Sequence, residues 1–482
     1  MQVALLARSR FFALPLVASM VLVGASAARA ADNWPQLRGP QSLGVVETAN
    51  LPDKWTTTEN VLWKVDVAGR GWSSPIVWGS KIFLTTCVNP SDTEPPKKGL
   101  YFGGERPKPE APNQWRVLCL DLNTGKTLWD KLSHEGPPAM PIHLKNSYAS
   151  ETPVTDGQRV YAYFGNVGLY CYDMDGNAVW SKDFTPHKMR FGWGTAASPV
   201  LYKDRLYIVN DNDEQAELLC LDAKTGEQIW RKERDEKSNW ATPYIWENEQ
   251  RTELIVPGTR KNRAYDLEGN LLYEFGGSSS ITIATPYSKF GLLYVSSGYV
   301  MDKKKPIFAL RPGASGDISL EEEQTKNDYI AWCQKDAAPY NPTTLIYGDL
   351  MYVLMDRGFF ACYDARTGEM VYDKQRLPEG KAFTSSPWAY NDKIFCLNED
   401  GLTFVIKAGR EFEILHTNAL ADDDMSMATP AIAGDKLLIR TSPRLYCMQQ
   451  GAKLPDEPKP EKKPENKAES GAKLKKLFGS KE

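Results

Sequence analysis

Short apolar or alternating runs, each closed by Gly, Asp or Asn, fill most of the chain, and no stretch carries helical periodicity of useful length. A Ser/Thr-Pro pair opens each series of runs. It stands at Ser74-Pro75, Thr152-Pro153, Ser198-Pro199, Thr242-Pro243, Thr285-Pro286, Ser386-Pro387 and Thr429-Pro430, and Thr343-Thr344 takes the same register without the Pro. Successive anchors lie 43 to 46 residues apart, except for steps of 78 after the first and 58 after the fifth. A period near 43 with two enlarged units predicts a propeller or a solenoid.

Each unit has the same interior. A short strand after the anchor meets a turn such as Gly79-Ser80, Asp156-Gly157 or Gly434-Asp435. A β-rich run follows, as in Arg205-Leu206-Tyr207-Ile208 or Lys393-Ile394-Phe395-Cys396. Then come a strand ending in Asp, a Gly turn and an aromatic strand. Asp121, Gly125 and Trp129 form one such set; Asp173, Gly176 and Trp180 a second; Asp222, Gly226 and Trp230 a third. Asp266, Gly269 and Tyr273, and Asp364, Gly368 and Tyr372, repeat it, always with four residues from Gly to aromatic. Asp accepts hydrogen bonds from turn amides, Gly tolerates positive φ, and the aromatic then docks on a neighbour at fixed register. Trp332 reads as another docking Trp.

Four strands per unit make one antiparallel blade, so the fold class is all-β. The last unit, from Thr429 to about Gln449, holds only three strands. Val61-Leu62-Trp63-Lys64 near the N-terminus matches the missing aromatic strand. Eight anchors and this closure predict an eight-bladed propeller with four-stranded blades, the last completed by an N-terminal strand that removes exposed edges. An open solenoid, the alternative, carries polar caps rather than a split repeat.

The ends and the insertions sit outside the repeat. Arg8 and Arg10, the apolar stretch Phe11 to Ala27 and Ala28-Arg29-Ala30 read as a cleaved export signal over residues 1–30. The propeller is expected over 31–450, and the Lys/Glu/Pro-rich residues 451–482 form a disordered tail. Asn89 to Gln114 lengthens the first blade and Arg311 to Asp328 the fifth; such loops lie on a face and often bind. The 482 residues carry 58 Lys+Arg against 61 Asp+Glu, a net charge of −3, which gives no basic footprint for nucleic acid. Beyond the N-terminus no apolar run is long enough to span a bilayer. Of the eight cysteines, Cys119, Cys171, Cys220 and Cys362 recur at one repeat position, which places them in different blades as buried free thiols rather than disulfides.

The Ala/Cys-x-Asp-x-x-Thr-Gly-x-x-x-Trp pattern resembles the tryptophan-docking repeat of propellers related to pyrroloquinoline quinone (PQQ) dehydrogenases. Trp34-Pro35-Gln36-Leu37-Arg38-Gly39-Pro40 and Asn146-Ser147-Tyr148-Ala149-Ser150-Glu151-Thr152-Pro153 are similar to exported PQQ-binding-like β-propeller repeat proteins, also described as BamB-like. The resemblance covers roughly Asn33 to Gln450. It implies an eight-bladed propeller, and BamB itself is a scaffold in outer-membrane β-barrel assembly. The enzymatic branch implies PQQ held over a Trp beside adjacent cysteines, with Ca²⁺ on acidic and amide side chains. This chain has no adjacent Cys pair and no acid that matches the calcium ligands, and it lacks the lipid-attachment Cys of the scaffold branch.

Four His without metal spacing, no phosphate loop and no Gly-x-Ser-x-Gly elbow exclude the commoner site chemistries. Asp211-Asn212-Asp213-Glu214 and Asp422-Asp423-Asp424 read as solvated turns, with Ca²⁺ as the alternative. Residues flanking the anchors are expected at one mouth of the central channel: Arg70, Trp72, His143, Asn146, Tyr148, Arg190, Trp193, Asn239, Trp240, Phe383, Asp424 and Ser426. They form either a ligand site or a plug that braces the blades. The sequence therefore reads as a periplasmic or secreted monomer that binds or scaffolds an envelope protein or polymer, without a catalytic residue, a metal or a required cofactor. A PQQ- and Ca²⁺-dependent oxidoreductase and a polysaccharide-binding propeller are the alternatives.

Overall fold

The computed structural model describes residues 33–89, 96–100, 103–104 and 106–455. The expected export signal and most of the expected tail lie outside the described residues. Eight antiparallel sheets follow one another around an axis, each running from a short inner strand to an outer strand. Blade 1 spans residues 76–136, blade 2 154–183, blade 3 200–233 and blade 4 244–275. Blade 5 spans 287–334, blade 6 345–376, blade 7 388–419, and blade 8 joins 431–453 to 59–66. This is the predicted eight-bladed propeller, and no solenoid. The strand Glu59–Asp66 pairs antiparallel with Arg444–Lys453 and becomes the outer strand of the last blade, as expected. That last strand runs to Lys453, past residue 450.

Burial follows the radial position. The middle strands, such as Arg205–Asn210 and Glu217–Asp222, are apolar and buried on both faces because neighbouring blades cover both. The outer strand Gln228–Glu233 alternates exposed and half-buried residues. All eight cysteines are buried free thiols, and burial raises the four in the repeat position, Cys119, Cys171 and Cys362 to about 12 and Cys220 to about 11.

The docking turns explain how blades join. Asp222 Oδ1 accepts from the amides of Lys224 and Thr225 at 2.8 and 2.9 Å, which closes the turn. Gly226 then sits at φ +75° directly beneath Trp180 of the preceding blade, where a Cβ would lie 2.6 Å from the ring. Trp180 Nε1 donates to the Ala223 carbonyl at 3.1 Å. Trp63, Trp129, Trp230 and Trp332 dock in the same way on the carbonyls of Leu122, Met174, Leu267 and Ala365, at 3.0 to 3.2 Å.

Three interfaces lack a docked Trp and carry other material. His416 stands at the docking register of blade 7, and its Nε2 lies 2.6 Å from the Asp53 carbonyl of the N-terminal segment. Tyr273 of blade 4 donates inward to Glu253 at 2.9 Å. Beside it, Gly316–Asp317 from the blade 5 insertion pairs in parallel with Leu271–Phe275. Blade 4 thus has five strands where four are expected, because its outer edge offers unpaired backbone groups. Phe412 packs against Tyr372 at the outer part of blades 6 and 7, ring centroids 6.1 Å apart.

Candidate functional site

The eight anchors meet around the axis. The Ser74 amide donates to Thr152 Oγ1 at 3.0 Å, Thr152 to Ser198 Oγ at 2.9 Å, and Ser198 to Thr242 Oγ1 at 3.0 Å. Thr285, Thr343 and Ser386 continue the pattern onto Thr343 Oγ1, Ser386 Oγ and Thr429 Oγ1, at 3.0, 2.9 and 3.1 Å. An amide at the tip of an inner strand has no partner within its own blade, so the next blade's hydroxyl takes it. That is the physical reason for Ser or Thr at this position. All eight anchors line one cavity of about 450 Å³.

The N-terminal segment floors this cavity. Trp34 pairs with Val77 of blade 1, the Pro35 carbonyl accepts from Thr155 of blade 2 at 3.0 Å, and Val45 pairs with Ala389 of blade 7. Between these points Leu37 and Arg38 line the cavity. Arg38 is 1% exposed. Its Nε donates to the Ser42 carbonyl at 3.0 Å, and its Nη2 to Leu43 and Thr344 carbonyls at 3.1 Å each. Burial lowers its pKa to about 10, so it stays charged at neutral pH.

The walls come from two sets of loops on the opposite face. Connections between blades supply Trp72, His143, Lys145, Asn146, Trp193, Trp240 and Tyr340, and connections between second and third strands supply Tyr299, Met301 and Arg357. Trp72 and Trp240 are fixed through Nε1 to the carbonyls of Lys145 and Gly194, both at 2.7 Å. Trp193 packs on Trp240 at 6.0 Å between centroids and on His143 at 5.5 Å. Asn146 Nδ2 donates to the Trp193 carbonyl at 2.8 Å. The arrangement is a blind cup: aromatic walls, a hydroxyl ring and a closed base.

The cup is electrostatically one-sided. Among the described residues its lining holds Arg38, Lys145 and Arg357 and no Asp or Glu. Lys145 crosses the mouth to Glu399 of blade 7, with Nζ 2.5 Å from Oε1, and also donates to the Gly99 carbonyl at 2.8 Å. The Gly99 amide returns to Glu399 Oε2 at 2.9 Å, so part of the blade 1 loop rests on blade 7. Two further acids lie behind the wall. Glu151 accepts from Thr195 Oγ1 at 2.6 Å, and burial raises its pKa to about 7. Asp356 accepts the amides of Tyr340 and Asn341 at 2.8 Å each, and burial raises it to about 6.

Of the residues expected at the mouth, Trp72, His143, Asn146, Trp193 and Trp240 line the cup. The others lie elsewhere. Arg70 pairs its backbone with Cys87, and Tyr148 Oη donates to the Met140 carbonyl at 2.9 Å. Arg190 reaches the Ser280 carbonyl at 3.0 Å, and Asn239 binds Asp211 Oδ2 at 3.0 Å. Phe383 is buried between blades, and Ser426 Oγ donates to the Arg440 carbonyl at 2.9 Å. Asp424 is fully buried and takes Tyr446 Oη at 2.6 Å, Thr441 Oγ1 at 2.7 Å and Arg444 at 2.9 Å. The acidic loops are therefore not merely solvated turns. Asp211 forms a buried bidentate pair with Arg234 at 2.8 and 3.1 Å. Arg38, Lys145, Tyr299, Met301 and Arg357 complete the cup from outside the predicted set.

The family model described as outer membrane protein assembly factor BamB matches residues 113–241 and, overlapping them, 168–306. The matched stretch is less than half of the chain; together with the eight blades and their docking turns it supports a propeller fold of the PQQ-like type. Among solved structures it is similar to a europium-containing methanol dehydrogenase, with TM-score 0.58, 9% identity, and 86% of this chain and 97% of that one covered. It is also similar to a quinohemoprotein alcohol dehydrogenase from Comamonas testosteroni, with TM-score 0.57, 11% identity, and coverage of 90% and 82%. The computationally designed Ika8 protein aligns with TM-score 0.52 and 8% identity, covering 81% of this chain and 99% of that one. At these identities the likeness shows the fold alone. No curated protein matches the sequence.

A flat polycarboxylate such as PQQ meets ring faces and cations in the cup. A Ca²⁺ or lanthanide ion does not fit, because such ions take oxygen ligands that include carboxylates, and the lining offers three cations instead. Among the described residues no group of three or more His, Cys, Asp or Glu is placed to hold a metal. No helix among them is long and apolar enough to cross a membrane.

Proposed function

We propose that this chain is an exported, non-catalytic binding propeller of the cell envelope, with the axial cup as its ligand site. One observation carries the reading: among the described residues the 450 Å³ blind cup gathers aromatic faces, hydroxyls and cations but no carboxylate, and no group there is placed to hold a metal. Such a lining recognises a small molecule by stacking and hydrogen bonding. It lacks the carboxylate that would take a proton from an alcohol during oxidation. The closed base admits a small ligand or the end of a chain, not a polymer running through the channel. Export rests on the signal read in residues 1–30.

A second reading, a scaffold for another envelope protein, draws on a separate observation. The outer edge of blade 4 already takes Gly316–Asp317 as an added strand, which is the geometry of recognition by strand addition.

Titration of the full chain with PQQ as a probe, read by tryptophan quenching, together with dye-linked oxidation of alcohols and sugars, separates binding from catalysis. The reading expects quenching without turnover. Dye reduction that needs PQQ, Ca²⁺ and substrate together would overturn it.

A further inference from the structure

We infer that the axial cup takes a small organic anion directly on hydroxyl, arginine and lysine donors, with no metal ion between ligand and protein. The inference rests on the reading of the cup as a ligand site and specifies what that site selects.

The hydroxyl ring supplies the first argument. Thr152, Ser198, Thr242, Thr343, Ser386 and Thr429 each accept one amide hydrogen through Oγ. A hydroxyl is also a donor. Among the described residues none of these six donates to a protein acceptor, so their protons are left for a ligand. Accepting an amide hydrogen strengthens a hydroxyl as a donor in turn. The axis is therefore ringed by donors, and a ligand there must be rich in acceptors.

Charge supplies the second. Arg38 lies in the base, and among the described residues no carboxylate contacts its guanidinium; its partners are the carbonyls of Ser42, Leu43, Thr344 and, at 3.4 Å, Pro387. Four bonds to five N–H groups leave one donor on Nη1. A buried cation without a counter-ion is costly, and an anion entering the cup would supply the counter-ion. Arg357 is exposed at the mouth, and its guanidinium has no hydrogen-bond or ion-pair partner among the described residues. Lys145 is the one lining cation already balanced, by Glu399. The same charges that attract an organic anion repel Ca²⁺ and La³⁺.

The walls supply the third. Trp72, Trp193 and Trp240 present ring surface above the donors, which suits a flat apolar body carrying a carboxylate. Guanidinium binds carboxylate through paired hydrogen bonds, so charge and shape select together.

The probes are 2-naphthoate and its neutral isostere 2-naphthamide, titrated into the full chain and followed by calorimetry. The carboxylate is expected to bind at least about tenfold more tightly than the amide, the factor set by one charge-assisted hydrogen bond. Chelator, CaCl₂ and LaCl₃ should leave that ratio unchanged. Arg357→Gln should reduce it several-fold. Arg38→Gln should abolish it in any preparation whose unfolding transition remains cooperative; because that position is buried, Arg357→Gln carries the test if the variant does not fold. Equal binding of the two probes would overturn the inference while leaving the cup a ligand site. A naphthoate affinity that rises tenfold or more with Ca²⁺ or La³⁺ would overturn the metal-free claim. Failure of both probes to bind would overturn the inference and the ligand reading together.

Discussion

The rim and the axis of this propeller are built from the same repeat, and they use it differently. At the rim, five Trp rings lie on Gly turns and donate to backbone carbonyls, and each contact is satisfied within the protein. At the axis, the repeat supplies eight anchors, six of whose hydroxyls accept an amide from the preceding blade and stay open on the other side. Everything specific in the cup comes from departures from the repeat: Trp72, Trp193, Trp240, Lys145, Arg357 and the floor around Arg38. Repetition with closed partners makes a scaffold. Repetition with open donors, capped by residues that do not repeat, makes a site.

Breaking the rim should cost the most. Trp180→Ala removes a half-buried indole and its bond to Ala223, and is expected to lower stability by about 3 kcal/mol, read from the urea midpoint. Probe binding in the cup should be unchanged in the folded fraction.

The wall behind the cup should respond to pH. Burial holds Glu151 at about 7 against an ordinary 4.5. The folded chain therefore binds this proton more tightly than the unfolded chain. The stabilisation is complete below pH 4.5 and is lost as pH rises to about 7. Asp356, raised to about 6, acts in the same direction. Glu151→Gln keeps the acceptor for Thr195 and should flatten the decline by up to about 1.4 kcal/mol per pH unit in that window. Urea titrations across pH 4.5 to 7 measure the slope, and an unchanged slope would show that the carboxyl is not held neutral.

A smaller effect is expected from the turn itself. Asp222→Ala removes an acceptor shared by Lys224 and Thr225 in an exposed turn, a loss of about 1 kcal/mol. Asp222→Asn should recover part of it, because the amide oxygen still accepts.

The rim was legible in the sequence because its contacts are local and periodic. Asp, Gly and Trp recur at fixed spacing, so each dock announces itself, and the closing strand carries the same signature at Trp63. The cup was legible only in part. Trp72, Trp193 and Trp240 flank anchors and could be placed from them. Phe383, Asp424 and Ser426 also flank anchors, yet their side chains pack between blades or join Arg444 and the Arg440 carbonyl. The floor left no periodic trace, since Arg38 meets Thr344 across 306 residues and Lys145 meets Glu399 across 254. The acidic stretch at Asp211 looked like a surface turn because Arg234, its partner, lies 23 residues on, past two further strands of the blade. Contacts of this kind depend on closure of the ring, which single-unit patterns do not encode.

The most direct test sets Trp180→Ala beside Trp193→Ala and measures both urea midpoint and 2-naphthoate affinity in each. The account predicts a crossed result: Trp180→Ala loses stability and keeps the ligand, while Trp193→Ala keeps most of its stability and loses the ligand. If both variants lose stability and affinity in proportion, or if Trp193→Ala binds as the parent does, the division between a structural rim and a binding axis is wrong.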